Sequence, residues 1–180
     1  SNRYEVVAGA LSSDAQVATE SGAEWYLDPD RTYTSYRDMA VREAARADGI
    51  DAIAVTTPNH IHHDCCVAFL DAGIDVICDK PLTTTLDEAL DLVRRVKETG
   101  LIFGVTYSFA SYPMVRQAKE MIAAGEIGPV RQIHTEFFAE WFTEDIIATN
   151  KQAAWRSDPA RSGPAFCTAD IGTHAHHLGR

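Results

Sequence analysis

Two short segments of the sequence pair residue types suited to moving a proton. In Asp79-Lys80-Pro81-Leu82 a lysine directly follows a β-rich run, and the stiff proline after it fixes the chain direction. A lysine held at a strand end projects one ammonium into a cleft, although alone it is more often a solvated surface charge. In Asp170-Ile171-Gly172-Thr173-His174 a carboxylate and an imidazole stand four apart, so on a helix they share a face and meet. A carboxylate beside a histidine fixes the ring and raises its basicity, as a general base requires. A structural His–Asp pair in a core is the competing reading. His177 continues the same face. A third segment, Thr56-Thr57-Pro58-Asn59-His60-Ile61-His62, follows a buried β-rich run. There Pro58 fixes the backbone and Asn59 offers an amide able to reach a ribose or carboxamide. A turn with a capping Asn fits that segment equally well.

The elements that must hold these residues alternate between strand and helix. Tyr4–Ala10, Asp51–Thr57, Asp75–Cys78 and Leu101–Tyr107 read as strands. Between them, helical patterns run from the Ser12-Ser13-Asp14 capping candidates to Gly22, over Arg37–Ala47 and over His62–Ala72. The last helix starts at a capping box, Thr85-Leu86-Asp87-Glu88, and ends at Gly100, with Leu86, Ala89, Leu90, Val93 and Val96 on one face. Such repeats predict an α/β fold, an open doubly wound parallel sheet of Rossmann type. Open sheets of this kind bind ligands at the carboxyl ends of their strands, where the first and third segments lie. After Tyr107 the pattern changes. Pro113–Ala124 is helical, Gly125 and Gly128-Pro129 break it, and Val130–Trp141 reads as a long strand with polar residues interspersed. This predicts the start of an α+β domain with a mostly antiparallel open sheet. The expected domains are therefore 1–107, partly dinucleotide-binding, and 108–180, for substrate and oligomerisation. None of the eleven glycines forms the GxGxxG turn that opens a complete dinucleotide-binding unit. The chain is thus expected to lack the first βα unit and to be truncated at both ends.

Composition narrows the partners. The 180 residues include 16 basic and 26 acidic side chains, a formal charge of −10, which disfavours nucleic acid. No apolar run approaches the ~18–20 residues that cross a bilayer, so no membrane association and a cytoplasmic location are expected. The four cysteines form no C-x-x-C, and they read as reduced thiols packed as small apolar residues.

Taken together and in this order, these segments resemble the glucose–fructose oxidoreductase / inositol dehydrogenase family, Gfo/Idh/MocA. The resemblance includes TPNxxH at Thr57–His62, the (E/D)KP turn at Asp79–Pro81 and G-x-I-G-x-(V/I) at Gly125–Val130. It also includes WRxDP at Trp155–Pro159 and DxGxH at Asp170–His174. It implies a catalytic group of Lys80, Asp170 and His174. It implies contacts to a nicotinamide cofactor, NAD or NADP, from Ser12, Thr57, Pro58, Asn59, His62 and Lys80. Ser12 stands where NAD-preferring members often carry an acidic residue. Tyr107, Trp155, Arg156, Asp170, His174 and His177 are implied for the substrate, a small-molecule sugar or polyol. The implied reaction moves a hydride between cofactor and a hydroxyl carbon, in a protein that forms homo-oligomers at full length. Two alternatives remain at this point. One is a metal-dependent hydrolase built on the H-x-H-H clusters His60–His63 and His174–His177. The other is a non-catalytic family member that binds a nucleotide or sugar.

Overall fold

The computed structural model describes residues 4–138 and 142–180. They form two compact units. The first comprises the chain up to Val55, His63–Ile77 and Leu90–Gly104; the second comprises Thr56–His62, Cys78–Ala89 and Val105 onward.

The sheet is three-stranded, in the order β1 (Ala52–Val55), β2 (Asp75–Cys78), β3 (Phe103–Val105). Its pairing is parallel, since Val76 N donates to Ile102 O and Thr106 N to Cys78 O. Helices α1 (Ala15–Glu24) and α2 (Tyr36–Ala44) precede β1, α3 (Asn59–Asp71) links β1 to β2, and α4 (Leu86–Thr99) links β2 to β3. The α/β fold expected from the sequence is present. Asp14 caps α1 by accepting from the Val17 amide at 3.0 Å. Gly22 does not end α1. It lies inside the helix, where a Cβ would sit 2.5 Å from Thr32 Oγ1, so glycine is there for close approach.

The predicted strand Tyr4–Ala10 is not formed. It reduces to one parallel bridge, Gly9 with Thr32, in which Gly9 N donates to Arg31 O and Tyr33 N to Gly9 O. The partner segment is too short for a ladder, because a 3₁₀ turn over Pro29–Arg31 precedes it and Ser35 caps α2 just after it. The capping box of α4 is formed, with Thr85 Oγ1 accepting from the Glu88 amide and Glu88 Oε2 from the Thr85 amide. Its expected apolar face is nevertheless exposed at Leu86, Leu90 and Val93, and the buried residue is Leu92.

Phe69, Leu70, Met39, Val55, Val76 and Leu92 fill the interior of the first unit. One ion pair is buried there too. Arg31 donates to Glu43 at 2.5 Å and the Tyr33 hydroxyl donates to Glu43 at 2.7 Å. Burial alone would raise the Glu43 carboxyl, but the bonds from Arg31 and Tyr33 outweigh it and hold it below the usual range. Burial and the same carboxylate push the Tyr33 hydroxyl up to about 12.

In the second unit a 3₁₀ turn (Ser108–Ser111) leads into α5 (Pro113–Ala123). Short helices α6 (Lys151–Arg156) and α7 (Pro159–Ser162) follow, then a π turn (Thr168–Gly172) that runs into α8 (Thr173–Leu178). The strand expected over Val130–Trp141 differs from the structure. None of residues 130–138 is in a strand, and the remainder of that prediction lies outside the described residues. A strand exists only through ladder bonds to a neighbour, and no described segment pairs with this one. Cys78, Pro81 and Ala153 are buried apolar residues of this unit, while Asn59, His62, Ser162 and His174 are buried polar ones.

Candidate active site

The site begins where β2 ends. Asp79 accepts from the Lys80 amide at 2.8 Å and from the Thr106 hydroxyl at 2.6 Å, which fixes the turn. Pro81 follows Lys80 through a cis peptide bond. The Lys80 ammonium donates to Asp170 twice, to Oδ1 at 2.6 Å and to the backbone oxygen at 2.7 Å. Arg156 Nε stands 3.6 Å from the same Oδ1. The Asp170 carboxylate is therefore shared by two cations.

That partnership replaces the expected one. Asp170 makes no hydrogen bond with His174, whose Nδ1 is buried without a partner. The competing partner is Lys80, which meets Asp170 within a π turn. Around the i→i+5 bond from Thr173 N to Thr168 O, the Lys80 ammonium takes both the carboxylate and the backbone oxygen of Asp170. His174 instead packs among rings, with Phe109 at 4.4 Å and Tyr107 edge-on at 5.8 Å. Burial first, and the Lys80 charge second, hold its pKa below the ordinary histidine value, with Asp170 offsetting part of this. At neutral pH the ring is uncharged and free to accept a proton. His177 stacks on Tyr107 with centroids 4.2 Å apart, and burial pushes the Tyr107 hydroxyl up. Both line a cavity of about 310 Å³ together with Thr168, Thr173, His176 and Arg180.

The Thr57–His62 segment is tied down by its own polar groups. Asn59 Nδ2 donates to Ser162 O at 2.9 Å, and His60 Nδ1 lies 3.2 Å from Arg161 O. His62 has Pro81 O on one ring nitrogen and Thr57 O on the other. The Pro58 carbonyl accepts from the Ile61 amide at the start of α3. Thr57 Oγ1, by contrast, is buried without a partner. Trp155 Nε1 donates to Gln152 Oε1 at 2.9 Å, and the Arg156 guanidinium lies 4.2 Å from the Trp155 ring centroid.

The structure thus gathers Lys80, Asp170 and Arg156, and beside them Tyr107, His174 and His177, in the second unit. Ser12 belongs to the first unit, where its hydroxyl accepts from the Asp14 amide. The histidines of the first cluster have separate partners, His63 lying between Asp64 and Asp91. Among the described residues no three His, Cys, Asp or Glu side chains converge to hold a metal. Phe109, Asp79 and Ser162 also support the site and were missed from sequence. Of these, only Asp79 carried a signal, being a carboxylate at the first position of the lysine turn.

A family model described as an oxidoreductase family with an NAD-binding Rossmann fold matches residues 2–107. A second, for the GFO/IDH/MocA C-terminal domain, matches residues 115–180. The chain belongs to the Gfo/Idh/MocA family of oxidoreductases. It is 37% identical over 179 residues to an uncharacterized oxidoreductase of Bacillus subtilis, covering 97% of this chain and 45% of that protein. It is 36% identical over 114 residues to the NAD⁺-dependent scyllo-inositol 2-dehydrogenase of the same organism, covering 63% of this chain and 30% of that one. An inositol dehydrogenase homolog from Azotobacter vinelandii, solved with NAD⁺, superimposes with a TM-score of 0.94 at 38% identity, covering 98% of this chain and 45% of that one. The same homolog has been solved with NADH and myo-inositol, and there the TM-score is 0.88. The chain spans less than half the length of these relatives. Among the described residues no helix is long and apolar enough to cross a membrane.

Proposed function

We propose that the protein transfers a hydride between NAD or NADP and a hydroxyl carbon of a sugar, polyol or related compound. The observation that carries this reading is Lys80, anchored on Asp170 beside the buried, uncharged imidazole of His174. Family membership, and the relative solved with NADH and myo-inositol, support it.

The residues present suit the nicotinamide end of such a cofactor. Thr57 Oγ1, buried and unpartnered at the carboxyl end of β1, is a polar atom awaiting a ligand group. Thr57, Pro58 and Lys80 would hold it, with Asn59 and His62 fixing their backbone. When bound, the cofactor supplies the redox chemistry by accepting hydride from the substrate carbon. The chain's own part is acid–base chemistry and positioning. His174 takes the hydroxyl proton, which it can do because burial and Lys80 keep its ring neutral. Lys80 donates to the same oxygen and stabilises the developing alkoxide. Asp170, rather than orienting His174, aims the Lys80 ammonium. Tyr107 and His177 present a stacked wall for an apolar ring face, and Arg156 and Trp155 complete the surround.

Residues 1–107 would serve the cofactor and 108–180 the substrate and self-association. The exposed Ile127, Val130, Ile133, Phe137 and Phe138 support a homo-oligomer, and the setting proposed is cytoplasmic.

The test is the pH dependence of alcohol oxidation by the full-length protein. His174 ionises below a free histidine, so its proton-accepting form persists to lower pH than a free histidine's and is lost as pH falls through its lowered pKa. The rate should fall on that acid limb. His174→Asn should lower the rate and remove the limb. An unchanged profile in the variant would refute the assignment.

A further inference from the structure

His62 is 1% exposed, and each of its ring nitrogens faces a backbone carbonyl: Nδ1 lies 2.9 Å from Pro81 O and Nε2 2.8 Å from Thr57 O. A carbonyl oxygen can only accept. A neutral imidazole has one N–H and one lone pair, so either tautomer would press a lone pair against a carbonyl in a buried place. Flipping the ring would replace both nitrogens by carbons and forfeit both bonds. Two donors are needed, and only the imidazolium has them.

We propose that His62 is a positioning residue that works as a doubly protonated clamp, fastening the end of the β1 segment to the lysine turn. The reading rests on the proposed function for its catalytic consequence, and on geometry alone for its charge. The two carbonyls it grips flank the chemistry. Thr57 carries the unpartnered hydroxyl, and Pro81 is the residue after Lys80. A ring held at both ends fixes the distance between these strand-end segments, and with it the reach of Lys80 to Asp170 at 2.6 Å.

The surroundings tolerate the charge. Burial opposes it, but the sulfur of Cys78 and the two carbonyls outweigh burial, so the pKa lies above the ordinary histidine value. Cys78, at the end of β2, is the titratable side chain that acts on the ring. The other ionisable groups nearby in sequence are engaged elsewhere. Asp79 is held by Thr106 and the Lys80 amide, Lys80 by Asp170, and His60 by the Arg161 carbonyl. The segment that supplies Thr57 O carries no ionisable side chain before His60.

The experiment is a ¹H–¹⁵N spectrum of the histidine rings in full-length protein labelled with ¹⁵N-histidine, identifying His62 by NOEs to Thr57 and Pro81. At pH 7 both His62 nitrogens should be protonated, with one proton lost only above the ~6.5 of a free histidine. One unprotonated His62 nitrogen at pH 7 would overturn the clamp, whatever the activity. The second arm is His62→Gln, which can grip one carbonyl but not both. Its kcat should fall ~10-fold or more with KM nearly unchanged, the pattern of misplaced catalytic groups rather than lost binding. An unchanged kcat would overturn the positioning role. Wild-type protein without dehydrogenase turnover would refute the hydride reading instead, and the ring spectrum would then decide the clamp by itself.

Discussion

The two units each contain a short, well-shielded ion pair, and the pairs differ in what surrounds them. Arg31–Glu43 lies in an apolar interior built from residues such as Met39, Phe69 and Leu70, and the Tyr33 hydroxyl takes further acceptor capacity on the carboxylate. Lys80–Asp170, at 2.6 Å, lies in a unit that buries Asn59, His62, Ser162 and His174 beside a few small apolar residues, and both partners retain some exposure. The same unit holds two buried atoms without a hydrogen-bond partner, Thr57 Oγ1 and His174 Nδ1. A closed pair has no capacity left for a ligand and acts on stability. An open one, with unpaired groups in the same unit, is suited to chemistry. Pair length alone does not separate the two.

The largest expected effect comes from breaking the closed pair. Glu43→Ala removes one partner of a buried ion pair, leaving Tyr33 without its acceptor and Arg31 with only the exposed Asp48 at 3.7 Å. The cost should be about 3–5 kcal/mol, read as a lower urea midpoint in the full-length protein. Turnover per folded molecule should stay at the wild-type level. A loss under about 1 kcal/mol, the scale of exposed pairs, would remove the distinction drawn between the units. Breaking the open pair should do the reverse. Lys80→Ala should lower turnover by ~10²-fold or more, the scale for losing a positioned oxyanion-stabilising group. Its thermal midpoint should barely move, since Asp170 keeps Arg156 as a partner. Near-normal turnover would take Lys80 out of the mechanism.

The same contrast explains what the sequence revealed. Features fixed by neighbours in the chain were legible: the strand Asp75–Cys78, the capping box at Thr85, and the lysine placed at a strand end. Features fixed by distant partners were not. Asn59 meets Ser162 across 103 positions, and nothing near either residue announces it. Asp170 meets Lys80 across 90 positions rather than His174 beside it, and nothing local announces that partner. Tyr4–Ala10 has strand composition but found only a bridge, because its partner segment turns away into α2. The Arg31–Glu43 pair went unread although a signal existed. Glu43 falls at i+4 from Met39 and i+3 from Ala40, so it shares their buried face and required a buried cation.

The smallest expected effect sharpens the comparison from within the second unit, at the cap of α4. Thr85 Oγ1 accepts only the Glu88 amide, at 3.3 Å, whereas Glu88 Oε2 accepts from the Thr84 amide, the Thr84 hydroxyl and the Thr85 amide. The box is thus lopsided, and its weight rests on the glutamate. Thr85→Ala should cost only ~1 kcal/mol, the usual scale of an N-cap loss, and Thr85→Ser should restore it. Glu88→Ala should cost more than Thr85→Ala, because three donors lose their acceptor at once. Urea titrations of these variants in the full-length protein would measure both differences. Turnover should be unchanged in all of them if the cap is local, even though Thr85 and Lys80 lie in one continuous segment of the unit. A fall in turnover that tracks the loss of stability would show instead that the polar contacts holding Lys80 extend through the turn to the helix cap. The open pair would then depend on its scaffold as heavily as the closed pair does.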